Sequence, residues 1–162
     1  MNLESLALWL VQGFLHDQMV DKFWMFPMME TFHFIGLSFM FGALLVIDGR
    51  VLGIGKFISM KEAMKFIPVA IVAFAVNLIS GFAFLTSDPG TYLYNIGFQW
   101  KIGLIVIAGF NALWFWFGEH KQLTQLADGQ EAPFTAKIIA LGSIVLWVLI
   151  IILGRMIPYT DF

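Results

Sequence analysis

The sequence predicts an all-α integral membrane protein, an antiparallel four-helix transmembrane bundle with an N-terminal interfacial helix. Three observations predict it. Four apolar runs, residues 26–47, 66–86, 98–118 and 134–157, each hold about 20 residues, and about 20 helical residues cross a hydrocarbon core ~30 Å thick. The 162 residues are 60% apolar and 12% charged, with a mean hydropathy of +0.85. Soluble domains carry about 25% charge, so half of that, gathered between four apolar blocks, leaves no room for a separate soluble domain. Turn signals separate the runs.

Each element has its own local reason. Residues 1–22 lack a positive n-region, and the stretch 3–20 keeps Gln12, His16, Asp17 and Gln18 among Leu, Trp and Phe. It is too short and too polar to span, and reads as one helix lying at the interface. Met25-Phe26-Pro27 opens the first span, since proline suits a first helical turn. That helix should run past Ile47 and end among Gly49, Gly53 and Gly55. Ser59-Met60-Lys61-Glu62 matches a capping box, so the second helix should start near Met60, with Pro68 inside it as a bend. Ser87-Asp88-Pro89-Gly90 predicts a turn, and 92–97 a short connection. The third span should start near Phe98 and end before Glu119. Asp128-Gly129 predicts a turn, Pro133 starts the last span and Pro158 closes it.

The basic residues orient the bundle. Arg50, Lys56, Lys61, Lys65, Lys121 and Lys137 fall on one side, and Lys22, Lys101 and Arg155 on the other. The positive-inside bias makes the first group cytoplasmic and puts both termini in the periplasm. All three tyrosines (Tyr92, Tyr94, Tyr159), with Trp9, Trp24 and Trp100, fall on the outer side, as an aromatic belt or as the flank of a shallow cofactor or quinone site.

Several chemistries are excluded. The chain has no cysteine, which removes disulfides, iron–sulfur clusters, c-type haem and thiolate metal sites. No nucleophile–base pair, phosphate loop or metal-hydrolase pattern appears. No basic stripe points to nucleic acid. What remains is a set of ionisable residues at membrane depth. Glu30 and His33 share a helix face at i, i+3. Lys101 opens the third span, and Arg155 ends the fourth, before Tyr159. All four belong to the outer leaflet, where they should meet and pair, because charge in a bilayer is costly. Snorkelling is the plain alternative for the two cations. His33 is a packing residue, an axial ligand of b-type haem or contact of a quinone, or, less readily, a copper ligand with Met25, Met28 and Met29. Trp24, Trp100 and Tyr159 are the aromatics expected to flank a planar ring. Asn77 and Asn111 are expected to make interhelical hydrogen bonds. Asp48 and Arg50 should fix the exit of the first span by pairing or by binding carbonyls.

These residues resemble a family of four-span bacterial inner-membrane proteins. The resemblance rests on Phe26-Pro27-x-x-Glu30-x-x-His33-x-x-Gly36, on Asp48-x-Arg50-x-Leu52-Gly53, on Gly81, Phe98-x-x-Lys101 and Asn111, and on Trp147 with Gly154-Arg155. It covers most of the chain and implies the fold and the inner-membrane location, with no assigned reaction. Some similar proteins carry a histidine in the third span where this chain has Trp116, a departure that argues against a two-histidine haem.

The functional expectation is a small membrane protein with a polar site in the outer half of the bundle, linked to redox chemistry through haem b or a quinone. The alternatives are an accessory or scaffold subunit of a larger membrane complex and a small transporter. Whether it is an enzyme is open at this level. Lipid is the expected partner, with a homo-oligomer or larger complex allowed by the glycine and alanine faces.

Overall fold

The computed structural model describes residues 2–127 and 130–160. The expected Asp128-Gly129 turn lies outside them. The described residues contain no strand, and four stretches, Met25–Leu52, Met60–Ser87, Ile96–Thr124 and Phe134–Tyr159, are long and apolar enough to cross a membrane. Their outward faces carry Phe39, Ile71, Phe110, Ile138 and many other exposed large apolar side chains. Lipid rather than water is the solvent that suits such a surface.

The N-terminal segment is two helices rather than one, α1 (Leu3–Val11) and α2 (Phe14–Asp21). Asn2 caps α1 by accepting from Ser5 N–H at 2.9 Å, and extended Gly13 breaks the path before α2. The first long helix, α3 (Met25–Leu52), takes Pro27 in its first turn. It stops at Gly53, whose φ of +88° is the left-handed conformation that only glycine adopts without strain. Ile54 N–H then bonds to Gly49 C=O at 2.9 Å, closing the cap. Arg50 is buried and donates through Nε to Ile58 C=O at 2.6 Å, which ties down the following turn. Of the two roles expected for this residue, it takes carbonyl binding, while Asp48 turns toward Ser143 of the last helix.

The Ser59 capping box forms in full and starts a one-turn helix, α4 (Met60–Met64). Pro68 does not bend a continuous helix as expected. A proline ring clashes with the carbonyl four residues back and offers no N–H, so the helix stops at Lys65 and α5 (Ile67–Ser87) restarts with Pro68 in its first turn. The expected turn and connection after α5 is itself helical, α6 (Pro89–Tyr94), capped by Asp88. Asn95 caps α7 (Ile96–Trp114), accepting from Phe98 N–H while its amide donates to Ile157 C=O at 2.9 Å. A π-helical turn, Phe115–Glu119, leads into α8 (His120–Thr124). The last helix, α9 (Phe134–Met156), follows Pro133 and ends in a 3-10 turn, Ile157–Tyr159, around Pro158.

Helix α3 is central. It packs on both α5 and α9, whereas α7 packs on α9 and has no substantial contact with α5. Small residues set the α3–α5 distance. A Cβ placed on Gly36 would lie 2.8 Å from Asn77 Nδ2, 3.1 Å from Val76 Cγ1 and 3.2 Å from the Ala73 carbonyl. Such close backbone approach is what drives association when lipid removes the hydrophobic difference between inside and outside. At the end that holds α4 and α8, Ile47, Val51, Met60, Met64 and Leu123 pack with Ala132, Ala136 and Ala140 in a core of their own. The α8–α9 connection is clamped outside by Glu131, which accepts from Lys137 at 2.8 Å and Lys56 at 3.4 Å. The Lys137 bond holds the Glu131 carboxyl below the usual carboxylate range, and Lys56 adds to it.

Gly36→Ala should destabilise the bundle by about 1–3 kcal/mol, the usual cost of overpacking a tight seam. Gly42→Ala, with open space around it, is the control. Thermal unfolding in one detergent compares them, and equal stability of the two variants would contradict the packing described. The Glu131 clamp has a definite pH sign. Its folded-state pKa is lowered, so its contribution is complete above the unfolded value of about 4.3 and fades as pH falls through the lower folded value. Glu131→Gln should remove that acid-side slope in protease-nicking assays of the connection.

Candidate functional site

The α3–α5 seam brings polar groups together at the end of the bundle that holds α2 and α6. His33 Nδ1 lies 2.8 Å from Ser80 Oγ. Ser80 is buried and sends its hydroxyl proton to the Val76 carbonyl of its own helix at 2.7 Å. Its oxygen is thereby the acceptor of an Nδ1–H from His33, and the ring also bonds to the Asn77 carbonyl, which can only accept. With the Ser80 proton on the Val76 carbonyl, the tautomer consistent with this network carries its proton on Nδ1. Phe84 packs on the imidazole at a centroid distance of 5.4 Å and on Phe26 at 5.3 Å. Gly81 makes room for the ring, since a Cβ there would sit 3.7 Å from His33 Cε1.

Lys101 reaches the same region from the start of α7. Its side chain crosses α9 at Gly154, where a Cβ would lie 3.1 Å from Nζ and 3.5 Å from Cε. Glycine at 154 is what leaves this lane open. Lys101 forms no ion pair among the described residues, and its charge acts on His33.

The other expected members stay apart. Glu30 is exposed and unpaired among the described residues, although its charge, after burial and Asp88, helps to raise the pKa of the Tyr92 hydroxyl. Arg155 is exposed and lies over the Tyr159 ring at 5.8 Å. Trp100 is 64% exposed, and Trp24 sits under Lys22 at 5.9 Å. The ring against His33 is therefore Phe84, with Phe26 packed on Phe84, and not the tryptophans or the tyrosine. His16 Nδ1 bonds to the Thr86 carbonyl at 2.7 Å and holds α2 onto α5.

Ser80 and Phe84 were not singled out from the sequence, and Gly154 only as part of the Gly154-Arg155 motif. A serine in an apolar span, one position before Gly81 and three after Asn77, is the signal that was present. Asn111 makes the expected interhelical bond, Nδ2 to Ile139 C=O at 3.2 Å. Asn77 instead donates to Ala73 within its own helix.

A second polar level lies toward the other end. Asp48 and Glu119 are buried, each with one carboxylate oxygen lacking a hydrogen-bond partner, and the other oxygen of Glu119 accepts from Thr135 at 2.9 Å. Fully buried Met40 and the edge-on pair Phe74–Trp147, 5.8 Å apart, stand between the two levels. The polar residues thus do not form one stripe across the bundle.

The donor set bears on metals and haem. Among the described residues no three His, Cys, Asp or Glu side chains gather as a metal would need. Haem at His33 would need a second axial ligand or an open face. The contacts shown for the ring are Ser80, Asn77, Phe84 and Gly81, while His16 bonds to Thr86 and His120 lies on α8 at the other end of the bundle. Comparison with protein-family models, with curated proteins and with solved structures gave no match.

The tautomer is measurable. In protein with ¹⁵N-labelled histidine, His33 should show a protonated Nδ1 and a bare Nε2. Ser80→Ala should weaken that preference toward a mixture, and an Nε2-protonated ring in the parent protein would contradict the assignment.

Proposed function

We propose that the helices run antiparallel in a bacterial inner membrane, with the His33 end and both termini on the periplasmic side, and that the His33 site receives the headgroup of a membrane quinone. Six of the nine basic residues support the orientation, since they gather in and beside the connections at the α4–α8 end. The paired helices α1 and α2 would then lie at the outer interface, with Leu8, Trp9 and Phe14 toward lipid.

The reading rests on His33, an imidazole whose Nδ1 bonds to Ser80 of α5 and on which the charge of Lys101, unpaired among the described residues, acts. An ionisable residue held at membrane depth is a functional candidate by default. A quinol hydroxyl would donate to Nε2, and Lys101 would donate to the oxygen across the ring. Phe84 and Phe26 supply apolar contact. When the quinol is oxidised to the quinone, Nε2 takes one hydroxyl proton, the second hydroxyl proton leaves to water at the outer surface, and the two electrons pass to an acceptor in a partner protein, a haem or iron–sulfur centre. That makes the chain a quinone-binding member of a larger membrane assembly. A purely structural subunit is the second reading, favoured by the sparse burial of the α7 span, 11% in its most apolar window.

Solvent extraction of the purified protein tests the proposal. The expectation is close to one quinone per chain, falling at least tenfold in His33→Ala and in Lys101→Met. Absence of extractable quinone, together with no binding of added short-chain benzoquinol or naphthoquinol, would leave the structural-subunit reading.

A further inference from the structure

The π-helical turn at Phe115–Glu119 has a consequence at the other end of the bundle. A π turn carries one residue more than an α turn and resets the side chains that follow it. Here it stacks Trp116 on His120, with ring centroids 4.5 Å apart and planes 21° from parallel. A groove of about 340 Å³ opens between α4 and α5 on one side and the π turn with α8 on the other. Its walls are Met64, Ile67, Pro68, Ile71 and Val72 on one side and the Trp116–His120 stack on the other. The groove is apolar along its length and lies on the surface that faces lipid.

Its mouth is basic. Lys65 follows Met64 and Lys121 follows His120, and both are exposed. Neither forms an ion pair among the described residues, in contrast to Lys56 and Lys137, which Glu131 occupies. Glu62 is held by the Ser59 backbone and hydroxyl in the capping box, with the charge of Lys65 a lesser influence on it, and Glu119 is buried against Thr135. The feature is thus an apolar trough with a tryptophan in its wall and two exposed lysines next in sequence to its lining.

We infer that this groove is a binding site for an anionic phospholipid, with one acyl chain along Ile71 and Val72 and the phosphate between Lys65 and Lys121. Basic pockets between membrane helices on the cytoplasmic side suit anionic headgroups, whereas a neutral tail or a second copy of this apolar surface would leave the lysines unanswered. The site is separate from the His33 end and does not depend on what binds there.

Native mass spectrometry of the detergent-solubilised protein, titrated with dioleoylphosphatidylglycerol or dioleoylphosphatidylcholine, tests the inference. The expected result is a preference of about tenfold or more for phosphatidylglycerol, since each lysine near the surface favours an anionic lipid by about fivefold. Lys65→Glu with Lys121→Glu should abolish the preference. Val72→Trp, which fills the trough with an apolar side chain, should reduce binding of both lipids. Raised potassium chloride should shrink the preference in the unaltered protein, a readout that does not depend on any variant folding. Equal binding of the two lipids, a preference that survives the double charge reversal, or a dimer formed across the groove in place of lipid binding would overturn the inference.

Discussion

No water reaches the interior of a bilayer, so every polar group there needs a partner within the protein or must reach the surface. That constraint organises this molecule. Helix α3 carries most of the burden, because it touches α5 on one side and α9 on the other. Where it needs to come close it carries Gly36, and where it carries a polar ring, α5 answers with Ser80 and makes room with Gly81. The His33–Ser80 bond is thus both a contact of the bundle and the element that fixes how the imidazole is protonated.

The unequal packing of the four helices follows from the same seam. With α3 between α5 and α9, α7 attaches through α9, by Asn111 on the Ile139 carbonyl and by Lys101 along Gly154. Much of its surface is left to lipid, including Trp100, Phe110, Trp114 and Phe117. The open side between α5 and α7 gives the bundle two unlike ends. One end has His33, on which the charge of Lys101 acts, and the other has an apolar groove beside Trp116 and His120. Met40 and the Phe74–Trp147 pair lie between them.

Local signals carried some elements and missed others. The Ser59 capping box, Pro27 in the first turn of α3, the Gly53 stop and Pro133 before α9 were all legible, because each depends on residues within one or two turns. Pro68 was read as a bend and is a restart. One helical turn ahead of it is already closed by its own cap, and the proline is better placed in a new first turn than within an old helix. The interfacial segment was read as one helix and is two, since Gly13 takes an extended conformation. Of the polar residues named, Lys101 acts on His33 through its charge, while Glu30 and Arg155 stay at the surface with Trp100 and Tyr159.

The sequence by itself determined the class of protein and the positions of its four long helices, because the length and apolarity of a helix that crosses lipid are properties of each segment alone. It also marked His33 as the one histidine within an apolar run. Only the tertiary structure decided what His33 meets. Partner choice between helices depends on their rotation and separation, and these are set by small residues on both faces at once, Gly36 against Ala73 and Asn77, and Gly81 against the ring. The same holds for the groove beside Trp116, whose walls come from α4 and α5 on one side and from the π turn and α8 on the other.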